Sequence, residues 1–294
     1  MFEAIGNAIH TFSSWLNLPL FITLIGGGLF FMIYSRFLPF RYYGKALKAT
    51  GVKEDKAEGQ LSSFQALTSA IAATVGLGNI SGVAVAITIG GPGAIFWMWV
   101  SAFLGMATKF FEGTLSIMYK GKDSAGEMQG GTMYMITQGL GKKWKPLAVV
   151  FSISGMIGTF CLMQSNQLTE ALQTVVFTPA GIENTMGLRF VVGLVIAALV
   201  SIVVLGGIKR IGKVASRLVP FMVAFYFLIV FYIIFTNLSV VPEVFRSIFT
   251  KAFDFKAGLG GFAGSVIVIG ARRAAFVNEA GIGTASMMHG ASRN

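Results

Sequence analysis

The chain has 294 residues, 54% of them apolar and only 12% charged, with a mean hydropathy of +0.73; soluble domains usually carry about 25% charged residues, and a soluble fold of this composition would lack the polar surface to cover its core. The formal net charge of +11 is spread over the gaps between apolar runs, which argues against a nucleic-acid-binding patch and fits the positive-inside bias of membrane proteins. A single cysteine, Cys161, excludes an intrachain disulfide and cysteine-based zinc or iron–sulfur sites, and residues 1–17 lack the basic leader of a cleavable signal peptide.

Apolar runs long enough to cross a bilayer fall at about 18–37, 62–89, 93–119, 146–175, 189–208, 216–236 and 258–290. They predict an all-α integral membrane protein with one transmembrane domain over 1–294. Between Glu58 and Lys109 no Asp, Glu, Lys or Arg occurs. Such a run would make a helix of roughly 75 Å, against a hydrocarbon core of about 30 Å. It must fold back, and Gly90-Gly91-Pro92-Gly93 is the place to turn.

The charges then orient the spans. The connection 36–58 carries Arg36, Arg41, Lys45, Lys48, Lys53 and Lys56; 120–145 carries Lys120, Lys122, Lys142, Lys143 and Lys145; 209–217 carries Lys209, Arg210, Lys213 and Arg217. No Lys or Arg precedes the first span or lies in 90–92 or 176–188, and only 237–257 has any, Arg246, Lys251 and Lys256. This asymmetry predicts a multi-pass protein of the cell membrane with its N-terminus outside. The stretch 237–257, with Pro242 and mixed apolar and charged residues, reads as an amphipathic helix along the outer surface.

Two spans are too polar in the middle. The second contains Thr68, Ser69, Thr74, Gly76, Gly78, Asn79, Ser81 and Gly82. Close helix packing accounts for the glycines, but a carboxamide in lipid needs partners, and an unwound stretch supplies them. In such a stretch N–H groups at a half-helix N-terminus can hold a carboxylate, while freed carbonyls and Asn79 can coordinate a sodium ion. The last span contains Gly270, Arg272, Arg273, Asn278, Glu279, Gly281, Gly283 and Thr284. Either 258–271 is a short span with the arginines in the interface, or Arg272, Arg273 and Glu279 face the bundle interior or a wet cavity. Interrupted helices five spans apart are the arrangement of an inverted-repeat transporter, with 62–236 as the first five-helix repeat and 258–294 as the start of the second.

The residues carry a resemblance. The run from Gly90 through Gly105, GGPGAIFWMWVSAFLG, resembles a motif of the sodium:alanine (alanine or glycine:cation) symporter family. The stretches Thr74–Ile80 and Phe276–Ala285 are similar to that family's first and second interrupted helices. The resemblance implies a leucine-transporter-type inverted-repeat fold, substrate bound where the broken helices meet, and symport of a small neutral amino acid, alanine or glycine, with sodium as the coupling ion. It implies substrate contacts from Thr74, Gly76, Gly78 and Asn79, with Asn79 and Thr74 as sodium ligands. Gln164 matches a position where the family presents a polar side chain, although a bond to a neighbouring helix explains it equally well. Asn278, Gly281 and Thr284 are implied to complete the site. Against that family the chain reads as C-terminally truncated at Asn294.

The expected partners are the amino acid and the lipid bilayer, not nucleic acid, and oligomeric state is left open. Sodium is preferred over a proton because the second span offers neutral oxygens, Glu279 being the candidate if a proton is used instead. An enzyme is not expected: His10 and His289 lie near opposite ends and no nucleophile–base pair is visible. The alternative from another class is a non-transporting fragment, a channel-like protein or an assembly subunit.

Overall fold

Helix after helix runs through the computed structural model, which describes residues 2–50, 59–159, 162–253 and 266–293. Lys53, Lys56, Cys161, Lys256, Asn294 and the first residues of the expected last span (258–265) lie outside the described residues. In chain order the helices are α1 (Phe2–Tyr34), α2 (Leu38–Arg41), α3 (Tyr43–Thr50), α4 (Ser63–Thr74), α5 (Leu77–Gly90) and α6 (Gly93–Met118). After a two-residue hairpin, β1 (Gly121–Lys122) and β2 (Met128–Gln129), come α7 (Thr132–Tyr134), α8 (Lys145–Gly158), α9 (Leu162–Leu172), α10 (Met186–Val204), α11 (Gly207–Thr236), α12 (Val241–Ala252), α13 (Val266–Asn278) and α14 (Thr284–Gly290).

Among the described residues, α1 from Thr11, α6, α10 and α11 are long and apolar enough to cross a membrane, and α4 with α5 makes a fifth if that bent pair is counted as one span. Helix α10 exposes Phe190, Leu194, Leu199 and Ile202, and α11 exposes Phe221, Phe225, Phe231 and Phe235. A helix apolar on its outward face is stable against lipid, not water. The stretch 146–175 is not one helix: α8 stops at Gly158 and α9 starts at Leu162, passing into a π-helical turn at Gln173–Phe177. The basic residues Lys209, Arg210, Lys213 and Arg217 form the first turns of α11 instead of a loop.

The chain divides into two compact units, residues 1–49, 82–114 and 226–283, and residues 50–81, 115–225 and 284–294. In the first, Ala86, Ala94, Met98 and Ala274 form a small core with Val83, Val266, Ile269 and Val277 around it. Small residues let the backbones of α6 and α13 approach closely: a Cβ on Gly270 would sit 2.5 Å from the Ala94 carbonyl oxygen. Trp97 Nε1 donates to the Ala252 carbonyl at 2.9 Å, and Phe96 meets Phe249 and Phe253, so α12 is anchored on the start of α6.

In the second unit, Ser62 and Gln65 form a capping box that starts α4. Just before it, Leu61 pairs with Ser292 in a parallel bridge, Gln60 N donates to Ala291 O at 2.8 Å and Arg293 N to Leu61 O at 2.7 Å. Leu61, Ala66 and Ala291 are buried together. Ser116 Oγ donates to the Ser286 carbonyl, Thr132 N donates to Ser286 Oγ at 3.1 Å, and Lys120 Nζ donates to Ser292 O at 2.6 Å. Helix α14 is thereby clasped between the start of α4 and the segment 116–132.

Candidate functional site

The two interruptions fall one in each unit, apart from Thr284, and each is built differently. The first separates α4 from α5, whose axes differ by 41°. Val75 leaves the helical region at φ −110 and ψ 81. Asn79 N and Ile80 N then restart the ladder on the Gly76 carbonyl, at 3.0 and 3.1 Å. The Asn79 side chain spans the interruption, its Nδ2 donating to the Thr74 carbonyl, while Thr74 Oγ1 donates to Ile71 O at 3.1 Å. Among the described residues, no atom beyond its chain neighbours lies within 4 Å of where a Cβ on Gly76 would stand. The backbone there is open to a ligand.

Thr74, Gly76, Gly78 and Asn79 are therefore brought together by one short segment. The side chain that reaches them from α9 is Gln167: its Nε2 donates to Ser81 Oγ at 2.9 Å, and its Oε1 lies 3.4 Å from the Cβ position of Gly78. That Oε1 is buried and has no hydrogen-bond partner among the described residues. Gln164, one turn earlier on α9, is exposed. Apart from backbone carbonyls, the oxygens of this segment are amide and hydroxyl, neutral hard donors of the kind an alkali cation takes.

The second interruption follows α13. Asn278 Oδ1 accepts from Ala280 N at 3.0 Å, closing a local turn of the kind Asn favours. Its side chain packs where a Cβ on Gly105 would be. Glu279, Gly281 and Gly283 have φ of 51, 84 and 88, so three left-handed residues unwind the chain within five positions. Helix α6 answers with charge. Lys109 Nζ donates to the Glu279 carbonyl at 3.1 Å, and Gly281 N donates to Glu112 Oε2 at 3.4 Å. Lys109 and Glu112 stand 3.9 Å apart. Thr284 opens α14 in the other unit and is half-buried. Of the remaining charges of this segment, Arg272 is exposed, Arg273 is half-buried with Nη1 4.0 Å from the Cβ position of Gly82, and Glu279 is half-buried.

Sequence reasoning overlooked Gln167, Lys109 and Glu112. The signal for the last two was present: they lie inside an expected span, three residues apart, and an ionisable residue within a membrane segment points to function by default.

Several apolar helices long enough to cross a bilayer, with one bent pair besides, define a multi-pass α-helical membrane protein. The chain matches the sodium:alanine symporter family over residues 2–294 and belongs to that family. It is 40% identical to the sodium/alanine symporter AgcS of Methanococcus maripaludis over 97% of this chain and 63% of the relative. It is 42% identical to the putative sodium/proton-dependent alanine carrier protein YrbD of Bacillus subtilis, over 90% and 53%. It is 37% identical to the probable sodium/glutamine symporter GlnT of the same organism, over 90% and 54%. The chain spans between half and two-thirds of the length of these relatives. These relatives are named as symporters or carriers, none as an enzyme.

Proposed function

We propose that the protein carries a small neutral amino acid, alanine or glycine, into the cell together with sodium. The fold in this reading is of the leucine-transporter type, with 62–236 as the first of two inverted repeats and the N-terminus outside. The observation that carries the proposal is the first interruption, where Thr74 and Asn79 bring neutral oxygens to a break with open backbone at Gly76. In this reading Asn79 and Thr74 hold sodium. The first two N–H groups of α5, ahead of the Asn79 and Ile80 amides that already donate to the Gly76 carbonyl, take the substrate carboxylate at the positive end of the helix. Gln167 adds a carboxamide beside Gly78. Asn278, Gly281 and Thr284 enter through the family resemblance as further candidates for substrate contact, and Gln164 stands behind Gln167.

The test is uptake by the full-length transporter in sealed proteoliposomes. Alanine should accumulate only under an inward sodium gradient, and competition by glycine and glutamine should rank the substrates. Asn79→Ala should raise the sodium concentration needed for half-maximal uptake at least several-fold at near-normal expression, because a hard cation loses one oxygen ligand. An unchanged sodium requirement would make Asn79 a structural bridge to Thr74 and nothing more. For sidedness, single cysteines at Ser124 and Ser216 should react with an impermeant thiol reagent only from the cytoplasm, and one at Asn184 only from outside.

A further inference from the structure

Helix α11 is longer than a bilayer needs. Its 30 residues measure about 45 Å, against a hydrocarbon core of about 30 Å. The preceding span, α10, has 19 residues and ends at Val204, which is close to the length that core takes. The chain then turns back, with φ 70 at Gly207. The excess of roughly 15 Å therefore falls at the start of α11, where Lys209, Arg210, Lys213 and Arg217 lie. All of these are exposed. No Asp or Glu occurs between Glu183 and Glu243, and among the described residues none of these cations is in an ion pair.

Packing fixes which way they face. Gly212, Ala215 and Val219 are buried. A Cβ on Gly212 would stand 2.5 Å from Leu61 Cδ2 and 3.5 Å from Gln65 Cβ, and Ile208 packs against Leu61, Ala66 and Ala291. The opposite line of the helix, read at i, i+4 spacing, is Lys213, Arg217, Phe221 and Phe225, with Arg210 at its head. Phe221 and Phe225 are exposed, and their rings stack at 6.3 Å and 9°. The positive-inside bias asks only for cations in a connection. It does not ask that they share one outward line with aromatic rings that continue it into the hydrocarbon. A molecule anionic at one end and apolar along the rest matches that line. We propose that this face of α11 binds an anionic phospholipid of the bilayer, its phosphate between Lys213 and Arg217 and an acyl chain along Phe221 and Phe225. Basic side chains at headgroup level attract such lipids by charge, and a guanidinium takes phosphate oxygens in pairs. The site rests on α10 and α11 crossing the membrane, not on symport or on which side the basic end faces.

Thermal melting of the purified full-length protein in neutral detergent reads the site without any transport. Dioleoyl phosphatidylglycerol should raise the melting temperature saturably, while dioleoyl phosphatidylcholine and soluble glycerol phosphate should not. Lys213→Gln with Arg217→Gln should raise the phosphatidylglycerol concentration needed by at least about tenfold. Lys142→Gln with Lys143→Gln removes the same charge from exposed lysines elsewhere and should leave the effect unchanged. Phe221→Ala with Phe225→Ala keeps every charge and should weaken the lipid effect several-fold through lost apolar contact. That variant decides the matter if the charge variant does not fold. The proposal falls if phosphatidylcholine or glycerol phosphate serves as well, or if the phenylalanine pair or the Lys213 and Arg217 pair can be replaced without loss. It falls equally if neutralising Lys142 and Lys143 does as much damage, since net charge alone would then explain the binding. A parent protein indifferent to phosphatidylglycerol also overturns it, and would mean that another part of the full-length protein covers this face.

Discussion

At the first interruption a carboxamide bridges the gap: Asn79 reaches back to the Thr74 carbonyl, Gln167 lies alongside, and no charged residue occurs from residue 59 to 108. At the second, three left-handed residues are pinned by a lysine and a glutamate from α6. Neutral oxygens with open backbone leave room for a cation to supply the missing charge. A segment that already contains its own charge pair is organised before any ligand arrives. On the proposed reading the first interruption is where the cation binds, while the second, whose Asn278 and Gly281 remain candidate contacts, is held in shape before any ligand arrives. Substitutions at the second should register mainly in stability, and those at the first mainly in transport.

The largest expected effect is at Lys109. Lys109→Met keeps most of the aliphatic stem but removes the donor to the Glu279 carbonyl. A hydrogen bond from a charged group is worth about 1.5–3 kcal/mol, so thermal unfolding in detergent should show a loss of about 2 kcal/mol. A variant as stable as the parent would mean that the second interruption keeps its shape without α6, and the contrast between the two segments would disappear.

A matched pair of glycines sharpens the same contrast. Gly281 has φ +84 and a Cβ there would stand 3.0 Å from Leu24 Cδ2. Gly281→Ala should cost about 1–3 kcal/mol, the usual penalty for a non-glycine residue in the left-handed region. Gly76 is not left-handed and has open space around it. Gly76→Ala should leave the melting temperature unchanged or slightly raised, since alanine has less chain entropy to lose, while uptake falls because the methyl group fills the space offered to the ligand. Equal loss of stability in both variants would contradict the division of labour.

Much of this organisation was legible in the residues. The fifty-residue uncharged run cannot be one helix in a bilayer, and the chain turns between Gly90 at the end of α5 and Gly93 at the start of α6. Both interruptions lie where glycine and asparagine gather inside apolar runs. The division of 146–175 into α8 and α9 was not legible, because an apolar run looks the same whether the helix inside it is straight or broken. The pairing of Leu61 with Ser292 joins residues too far apart for periodicity to reach. Lys109 and Glu112 were given no role, since composition does not show which neighbour a helix face meets. Gln164 entered through the family resemblance alone, and nothing in the residues singled out Gln167, one turn further along α9, whose contact with Ser81 comes from how two helices pack.

That one-turn choice sets the smallest and most discriminating effect. Gln167→Met replaces the carboxamide by an apolar side chain of similar length. It loses the bond from Nε2 to Ser81 Oγ, worth about 1 kcal/mol net, and it also removes Oε1, a buried oxygen that has no partner. The two terms oppose each other, so stability should change by less than about 1 kcal/mol. Transport should respond differently, since the carboxamide stands 3.4 Å from where a Gly78 side chain would begin, next to the open backbone of the first interruption. The alanine concentration for half-maximal uptake should rise several-fold in Gln167→Met and stay near the parent value in Gln164→Met, whose parent side chain is exposed. If Gln164→Met carries the larger effect, α9 presents the turn containing Gln164 to the substrate during transport. The arrangement around Gln167 would then belong to the packing of α9 against the start of α5.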